Sequence, residues 1–457
     1  MSINYMPAHH LAAWLALVIF ACPAQSNGAS KEPQVQRAPA FLTRVKAKFE
    51  VGGDLRLNTD GQPSTLPMSV VAQFDFFERR IDDGSLPSER RSIRYYSDAQ
   101  AAIKVEKQAS VAKLAAEHRL VRAAVSENRT TLGAARGHLT REERDLIDIP
   151  FNTLLLSQLL PAATAERGSS SKPSDATVAM LLGLDAVSRS DVETVLTAIK
   201  DGVGEVSIQG PLNGAVGGVS TEIELKGKLH FDVVHRQPFA LVLLIKEKRS
   251  VGHVMPGLDV VAKLDLQVAP ASEVAELSDR ALEGLELATD GAAPPLAYES
   301  TEGGFSFLYE PRWQIMGAKT DSAVMRLVDR GELIAQCNVS VLPKLNVEQP
   351  LTLEMFQKEV QQSLGKHFGS FEGAAERETP SGLRLLHVVA IGTVSELPIT
   401  WHYYLLINRS GQRAAISFTM ENALADRFGE ADRLVLDGFR FTPQKPASAA
   451  RPVRTTR

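Results

Sequence analysis

Between Glu222 and Val233 the odd positions carry Ile223, Leu225, Gly227, Leu229, Phe231 and Val233, and the even positions carry Glu222, Glu224, Lys226, Lys228, His230 and Asp232. Successive side chains of a strand point to opposite faces, so this period of two describes a half-buried β-strand with a charged outer face. His235-Arg236-Gln237-Pro238 breaks the pattern, and Phe239–Ile245 then runs apolar at every position. A strand apolar on both faces is expected to be more deeply buried than the first, as a central strand or one covered on both sides is. Together, Thr221–Arg249 predicts a long hairpin inside a large antiparallel sheet, and every other segment has to be placed around it.

Earlier segments supply more strands. Phe41–Leu57 alternates through Val45, Ala47, Phe49 and Val51, with a turn expected at Gly52-Gly53. Met68–Ile81 places Val70, Ala72, Phe74 and Phe76 on one face, Asp82–Arg90 reads as a loop, and Ile93–Val105 and Arg119–Val125 follow. The period then changes. Thr140 stands three residues before Glu143, a capping box opening a helix that should stop near Pro150. Leu154–Leu160 is apolar, Asp175–Leu184 reads as helix, and Ser190–Glu193 is a second capping-box pattern with a helix expected to run to Gly202. Strands resume at Glu205–Gln209 and close with Val260–Val268, and glycine-rich Gly214–Gly218 is expected to be a wide loop or bulge between strands. The fold class is therefore α+β, a large antiparallel sheet with inserted helices over residues 41–270.

A chain of 457 residues exceeds one ordinary core. Net charge is −4, so no global basic field draws nucleic acid. Of the two cysteines, Cys22 lies in the leader and Cys337 far from it, which excludes a disulfide framework and a structural zinc site. Leu11–Ala21 is an apolar run too short to span a bilayer and suited to the core of a signal peptide over residues 1–24, cut after Ala24. No Lys or Arg precedes it, only His9 and His10. Ile19-Phe20-Ala21-Cys22 also resembles a bacterial lipobox, which makes Cys22 a lipidation candidate and a point of membrane attachment. Either way the protein is expected to be exported, to the periplasm or cell envelope. Residues 25–40, rich in Pro, Ala, Gln and Ser, read as a flexible tether.

Residues 271–298, acidic and then marked by Gly291 and Pro294-Pro295, form the expected linker. Beyond it, strands are expected at Phe305–Tyr309, Ala323–Val328 and Ile334–Leu342, then a helix from Leu353 to about His367 capped by Thr352. Strands at Leu383–Ile391, Ile399–Asn408 and Arg413–Thr419, a closing helix over Ala423–Leu436 and a short strand at Phe439–Phe441 complete the order. That order, with Gly304-Phe305-Ser306-Phe307 followed by Pro311-Arg312-Trp313, resembles the α/β/α sandwich of the Mog1/PsbP-like superfamily over residues 299–442. The resemblance implies a fold and an accessory role in binding or assembly, and supplies no catalytic residue. Residues 443–457 are a basic tail with prolines.

Motifs whose spacing is dictated by mechanism are missing: H-E-x-x-H, the G-x-S-x-G elbow, the Walker loop and the dinucleotide fingerprint. No catalytic residue, metal ligand or cofactor is expected. Three weaker features remain. His387 and His402 fall on neighbouring strands, and Tyr404 shares a face with His402. Cys337 sits in an apolar strand as a buried thiol. Arg90-Arg91 and Arg94 beside Tyr95-Tyr96 form a basic-aromatic cluster suited to an anionic polymer or headgroup. The expected function is non-catalytic binding of a protein partner, or of an apolar ligand held on a sheet face that the chain's own helices leave open. The rivals are an envelope hydrolase, which needs a histidine, a carboxylate and Cys337 or a serine in one cleft, and a lipid-anchored structural protein.

Overall fold

The structure is a computed structural model that describes residues 42–59, 62–81, 90–126, 129–252, 255–286, 293–345 and 351–443. The leader with Cys22, the tether, most of the Asp82–Arg90 loop and the basic tail lie outside the described residues. The chain divides into two units, Met1–Pro294 and Pro295–Arg457.

Unit 1 opens with β1 (Leu42–Thr59), β2 (Gln62–Ile81), β3 (Arg90–Val105), β4 (Gln108–Lys113), β5 (Leu120–Ser126) and β6 (Arg129–Ala134). An insertion follows, holding α1 (Arg141–Ile147), a 3-10 turn at Leu156–Leu159, β7 (Ser170–Ser171) and α2 (Asp175–Leu182). The second block is β8 (Ala186–Ser190), β9 (Glu193–Lys200), β10 (Val203–Val216), β11 (Val219–Asp232), β12 (Gln237–Arg249) and β13 (Gly257–Pro270), with the short helix α3 (Asp279–Leu282) after it. All the strands belong to one sheet, in the order β6-β5-β3-β2-β1-β13-β12-β11-β10-β9-β7, with β4 on β3 and β8 on β10. The first and last long strands are therefore neighbours in mid-sheet, and the insertion joins its two outer ends.

The alternation in the sequence sets the register. Phe74, Ala47, Leu266, Leu241, Leu229 and Val206 form one cross-strand row, and Ala72, Phe49, Leu264, Leu243, Gly227 and Ile208 the next. Every apolar residue in these rows is buried. Each large one contributes ~1.5–3 kcal/mol, which fixes the register, since a slip by one residue would turn the whole face to water. The opposite face carries ion pairs such as Arg44–Asp75 (2.6 Å) and Lys246–Glu224 (2.8 Å).

Four expectations are corrected in unit 1. No turn forms at Gly52-Gly53; β1 runs through it, with Gly53 at φ 143°, where a Cβ would lie 2.3 Å from the Asp259 carbonyl oxygen. β12 is a central strand, between β13 and β11, but is not covered on both faces: Leu241, Leu243 and Ile245 are buried, and Val242 between them is 43% exposed. Of the two readings at Gly214–Gly218, a bulge does interrupt the pairing of β10 with β8 between Asn213 and Gly214, but no wide loop forms: the chain makes a tight turn, with Gly217 (φ 56°) and Gly218 (φ 72°) meeting the demand of a two-residue hairpin for left-handed backbone. No helix follows Ser190; Val192, Thr194 and Leu196 are buried at a spacing of two, and the Ser190 hydroxyl only accepts from the Val192 N–H at 3.3 Å.

Unit 2 contains β14 (Leu296–Ser300), β15 (Phe305–Tyr309), β16 (Trp313–Lys319), β17 (Ser322–Asp329) and β18 (Glu332–Leu342). Then come α4 (Leu353–Leu364), β19 (Phe368–Glu378), β20 (Arg384–Val394), β21 (Leu397–Ile407), β22 (Arg413–Glu421), α5 (Ala425–Phe428), α6 (Arg433–Gly438) and β23 (Arg440–Phe441). Seven strands pair in the order β16-β17-β18-β22-β21-β20-β19, and β14, β15 and β23 make a small second sheet. Phe356, Val360 and Leu364 of α4 pack on Leu386, Val388, Trp401 and Leu405 of one face. On the other face Phe428 of α5 meets Phe418 (5.5 Å between rings) and Trp313 (6.4 Å). The expected closing helix is in two pieces, because Gly429 takes φ 52° and turns the chain between them. The strands β16 and β19 carry no clear alternation and were not expected.

Candidate functional site

The insertion, residues 135–185, covers the apolar face of the unit 1 sheet. Its α1 touches β3 and β4, and its 3-10 turn reaches β12. Leu146, Ile147, Phe151, Leu154, Leu155 and Leu159 are all buried. The Thr140 capping box is complete, and its Glu143 carboxylate also accepts from the Ala115 N–H at 3.0 Å and meets His118 Nδ1 at 2.7 Å. The face is thus filled by the chain's own side chains, which corrects the expectation of an open one.

A polar tie fastens the insertion at one end. Glu78 is in phase with Phe74 and Phe76, so its carboxylate points to the buried face, where it pairs with Arg94 Nε at 2.8 Å. Arg94 Nη2 donates to Asn152 Oδ1 (2.6 Å) and Thr153 Oγ1 (3.0 Å), and the hydroxyls of Thr153 and Ser92 donate to Glu78 at 2.9 Å. Burial alone would push the Glu78 carboxyl up, but the charge and hydrogen bond of Arg94, with the Thr153 hydroxyl, hold it below the usual carboxylate range. Arg90 adds bonds to the Leu154 carbonyl (2.8 Å) and Ser157 Oγ (3.0 Å), and Arg236 donates to the Pro161 carbonyl. Phe151 holds a left-handed backbone (φ 61°), and its N–H donates to the Leu181 carbonyl at 2.6 Å. Between sheet and insertion lies a cavity of about 10 Å³, lined by residues including Phe74, Phe76, Arg94, Tyr96, Asn152 and Thr153; it has room for about one water.

The basic-aromatic cluster of β3 is not a surface patch. Arg94 and Tyr96 are 4% and 1% exposed and face the insertion, with Tyr96 4.8 Å from Phe76 and Arg94 5.2 Å over the Phe76 ring. Arg91 and Tyr95 project from the opposite face, where Tyr95 packs with Ile93, Leu277 and Leu282 near α3. Strand alternation divides the four, and no anionic polymer meets them together. Glu78, Asn152 and Thr153 were not singled out from the sequence. Only Glu78 left a signal there, as a charge on the apolar side of a period-two strand.

In unit 2 the two histidines do converge. His387 of β20 lies opposite Tyr404 of β21, their rings stacked at 4.2 Å and 10°, and His402 is 5.5 Å from His387. Asp432, at the start of α6, accepts from the Tyr404 hydroxyl and lies 3.8 Å from His402 Nδ1. The backbone beside it is held by Trp313, whose Nε1–H donates to the Ala431 carbonyl at 3.1 Å. Burial would raise the Asp432 carboxyl; His402 and the Tyr404 hydroxyl hold it down instead. Burial, and then Asp432's charge, raise the Tyr404 phenol. Burial, and then His402, push His387 down to about 4, so its imidazole is neutral near pH 7; its Nε2 has no partner among the described residues.

Cys337 pairs across the strands with Phe418, which pairs with His402, so the thiol shares this sheet. It is fully buried, and burial with Asp432's charge lifts it well above its ordinary value. A nucleophilic thiol needs the reverse shift. The histidine, carboxylate and cysteine asked of a hydrolase are near one another, but inside a packed layer rather than a cleft. Among the described residues no three or more His, Cys, Asp or Glu side chains are placed to hold a metal ion, and no helix is long and apolar enough to cross a membrane.

No family model matches the chain, and no curated protein matches it. Among solved structures it is similar to PsbP of the cyanobacterium Synechocystis sp. PCC 6803, at 19% identity over 34% of this chain and 96% of that one, with a TM-score of 0.27. It is also similar to the Ran-binding protein Mog1p of Saccharomyces cerevisiae, at 11% identity over 32% of this chain and 95% of that one, with a TM-score of 0.27. A Mog1/PsbP-like fold is thus the resemblance found, over about a third of the chain. It is a likeness of fold alone.

Proposed function

We propose that this is an exported cell-envelope protein with a non-catalytic binding role. What it binds is a protein partner, with unit 2, an α/β/α sandwich, serving as the assembly accessory. The observation that carries the reading is that the apolar sheet face of unit 1 is filled by the chain's own insertion, which leaves the outer surfaces for a partner. The insertion's specific contacts gather on Arg90 and Arg94 of β3 and on Arg236, and hold it in place.

Native mass spectrometry of the mature protein purified from its own envelope tests this directly. A mass free of lipid or metabolite is the expected result, with a partner captured by crosslinking in cells, and the same spectrum reports leader cleavage and any acyl group on Cys22. A retained molecule of lipid mass, or no crosslinked partner, overturns the reading. The purely structural, anchored alternative requires palmitate incorporation that Cys22→Ala abolishes.

A further inference from the structure

We infer that unit 2 meets its partner along β19, the bare edge of its larger sheet, which takes up an extended segment of a second protein as an added strand, with cationic side chains near the two ends of the paired stretch. This rests on the partner-binding reading above and adds the surface and the chemistry of the partner. β19 pairs with β20 alone and ends the seven-stranded sheet, so the N–H and C=O groups on its outer side meet no strand among the described residues. It is also uncovered above and below: every residue from Glu372 to Glu378 is exposed. The opposite edge of the same sheet is built otherwise, since β16 starts at fully buried Trp313 and has no exposed residue before Lys319. A strand that buries neither face gains little from its own side chains, and its backbone is a template for pairing.

The middle of the stretch is Gly373-Ala374-Ala375, with no side chain beyond a methyl to screen the backbone. Neither proline nor lysine, two common guards of a sheet edge, occurs in β19. The charges stand around this middle. Glu376 is paired with Arg384 of β20 at 2.7 Å, and Arg377 with Asp437 of α6 at 3.1 Å. Glu372 and Glu378 make no ion pair among the described residues, and they lie ~20 Å apart along the strand. A second copy of this chain does not suit them. A two-fold axis at Ala374 or Ala375 sets Glu372 opposite Glu376 or Glu378, and like charges directly opposite are destabilising. A segment with Lys or Arg near each end compensates both carboxylates, while its main chain supplies the hydrogen bonds that give strand addition its affinity.

The test is photocrosslinking in the protein's own cells, on the full chain carrying p-benzoylphenylalanine at Ala374 or, as a control, at Lys319. Ala374 is expected to give one adduct absent from Lys319. Glu372→Lys with Glu378→Lys should reduce it at least about tenfold while the tryptophan emission of unit 2 stays unchanged. The partner peptide in the adduct, sequenced by mass spectrometry, is expected to carry Lys or Arg on both sides of the linkage. A synthetic copy of it should bind the full chain, and the same peptide N-methylated along its backbone at least about tenfold more weakly. An acidic peptide, an adduct indifferent to the charge reversal, one of twice the chain's mass, or equal binding of the N-methylated peptide overturns the inference. An adduct from Lys319 and none from Ala374, or capture only by general lysine crosslinking, overturns it and leaves partner binding standing. No partner by any of these routes overturns both.

Discussion

Removing Arg94 while leaving Glu78 is the perturbation with the largest consequence for unit 1. Both side chains are at most 5% exposed, and Glu78 is held ionised chiefly by this partner. Losing one member of a buried pair costs about 3–5 kcal/mol, because the other charge stays in the interior, whereas replacing both with apolar groups of similar volume is often neutral or stabilising by ~1–4 kcal/mol. Arg94→Met and Glu78→Gln should therefore each be strongly destabilising, and the Glu78→Met/Arg94→Met double variant should recover most of the loss. Urea unfolding followed by far-UV circular dichroism measures this, and tryptophan fluorescence separates the units, since Trp313 and Trp401 lie in unit 2 and the remaining tryptophan, Trp14, in the leader. The pH dependence has a definite sign. A carboxyl whose folded pKa is depressed stabilises above its unfolded value, near 4.5 for Glu78, and loses that contribution as pH falls through the folded value. In Arg94→Met the carboxyl is buried without its partner, so the defect should shrink on acidification. Single variants within ~1 kcal/mol of wild type, or a double variant worse than both singles, would refute the reasoning.

Other consequences are smaller or more local. His387, pushed down to about 4, favours the fold in its neutral form; its contribution is fully present above about pH 6.5 and is lost as pH falls from there towards 4. The whole shift is worth at most ~3 kcal/mol and less in a partly exposed ring, so His387→Phe should flatten the acid limb of unit 2 unfolding read by fluorescence against pH. Gly53→Ala would drive a Cβ into the Asp259 carbonyl in mid-sheet and should cost ~1–3 kcal/mol by urea unfolding, more than alanine at an exposed strand position. Thr140→Ala removes the helix cap and should cost ~1 kcal/mol, with faster amide exchange over Arg141–Ile147 than over β1.

Much of this architecture is written in local chemistry. The Leu353–Leu364 helix, with Phe356, Val360 and Leu364 on one face, and the 221–249 hairpin rest on periods that only one secondary structure satisfies, and the Thr140 capping box opens the helix expected of it. Where two readings compete, long-range contacts decide. Ser190-Asp191-Val192-Glu193 satisfies a helix-start pattern, but β10 lies alongside, and its Gly210 brings the backbone so close that a Cβ would be 2.2 Å from the Asp191 carbonyl oxygen. Gly52-Gly53 resembles a turn in isolation because nothing local announces that β13 will lie against it. Sites were less legible than elements. His387, His402 and Tyr404 were readable as neighbours from their strands, but Asp432 comes from a helix after the last long strand. The tie at Arg94 joins Glu78 to Asn152 and Thr153, whose side chains meet it from 75 positions away in the case of Thr153. Sequence spacing carries no record of such a meeting.

Hydrogen exchange by mass spectrometry on the full mature chain, wild type against Arg94→Met, tests the central claim most directly. If the insertion closes the core and the tie at Arg94 fastens it, amides of α1 and the 3-10 turn are protected in the wild type and lose protection in the variant before those of β1, β2 and β13 do. Insertion amides that already exchange freely in the wild type, while the sheet stays protected, would contradict the account of unit 1.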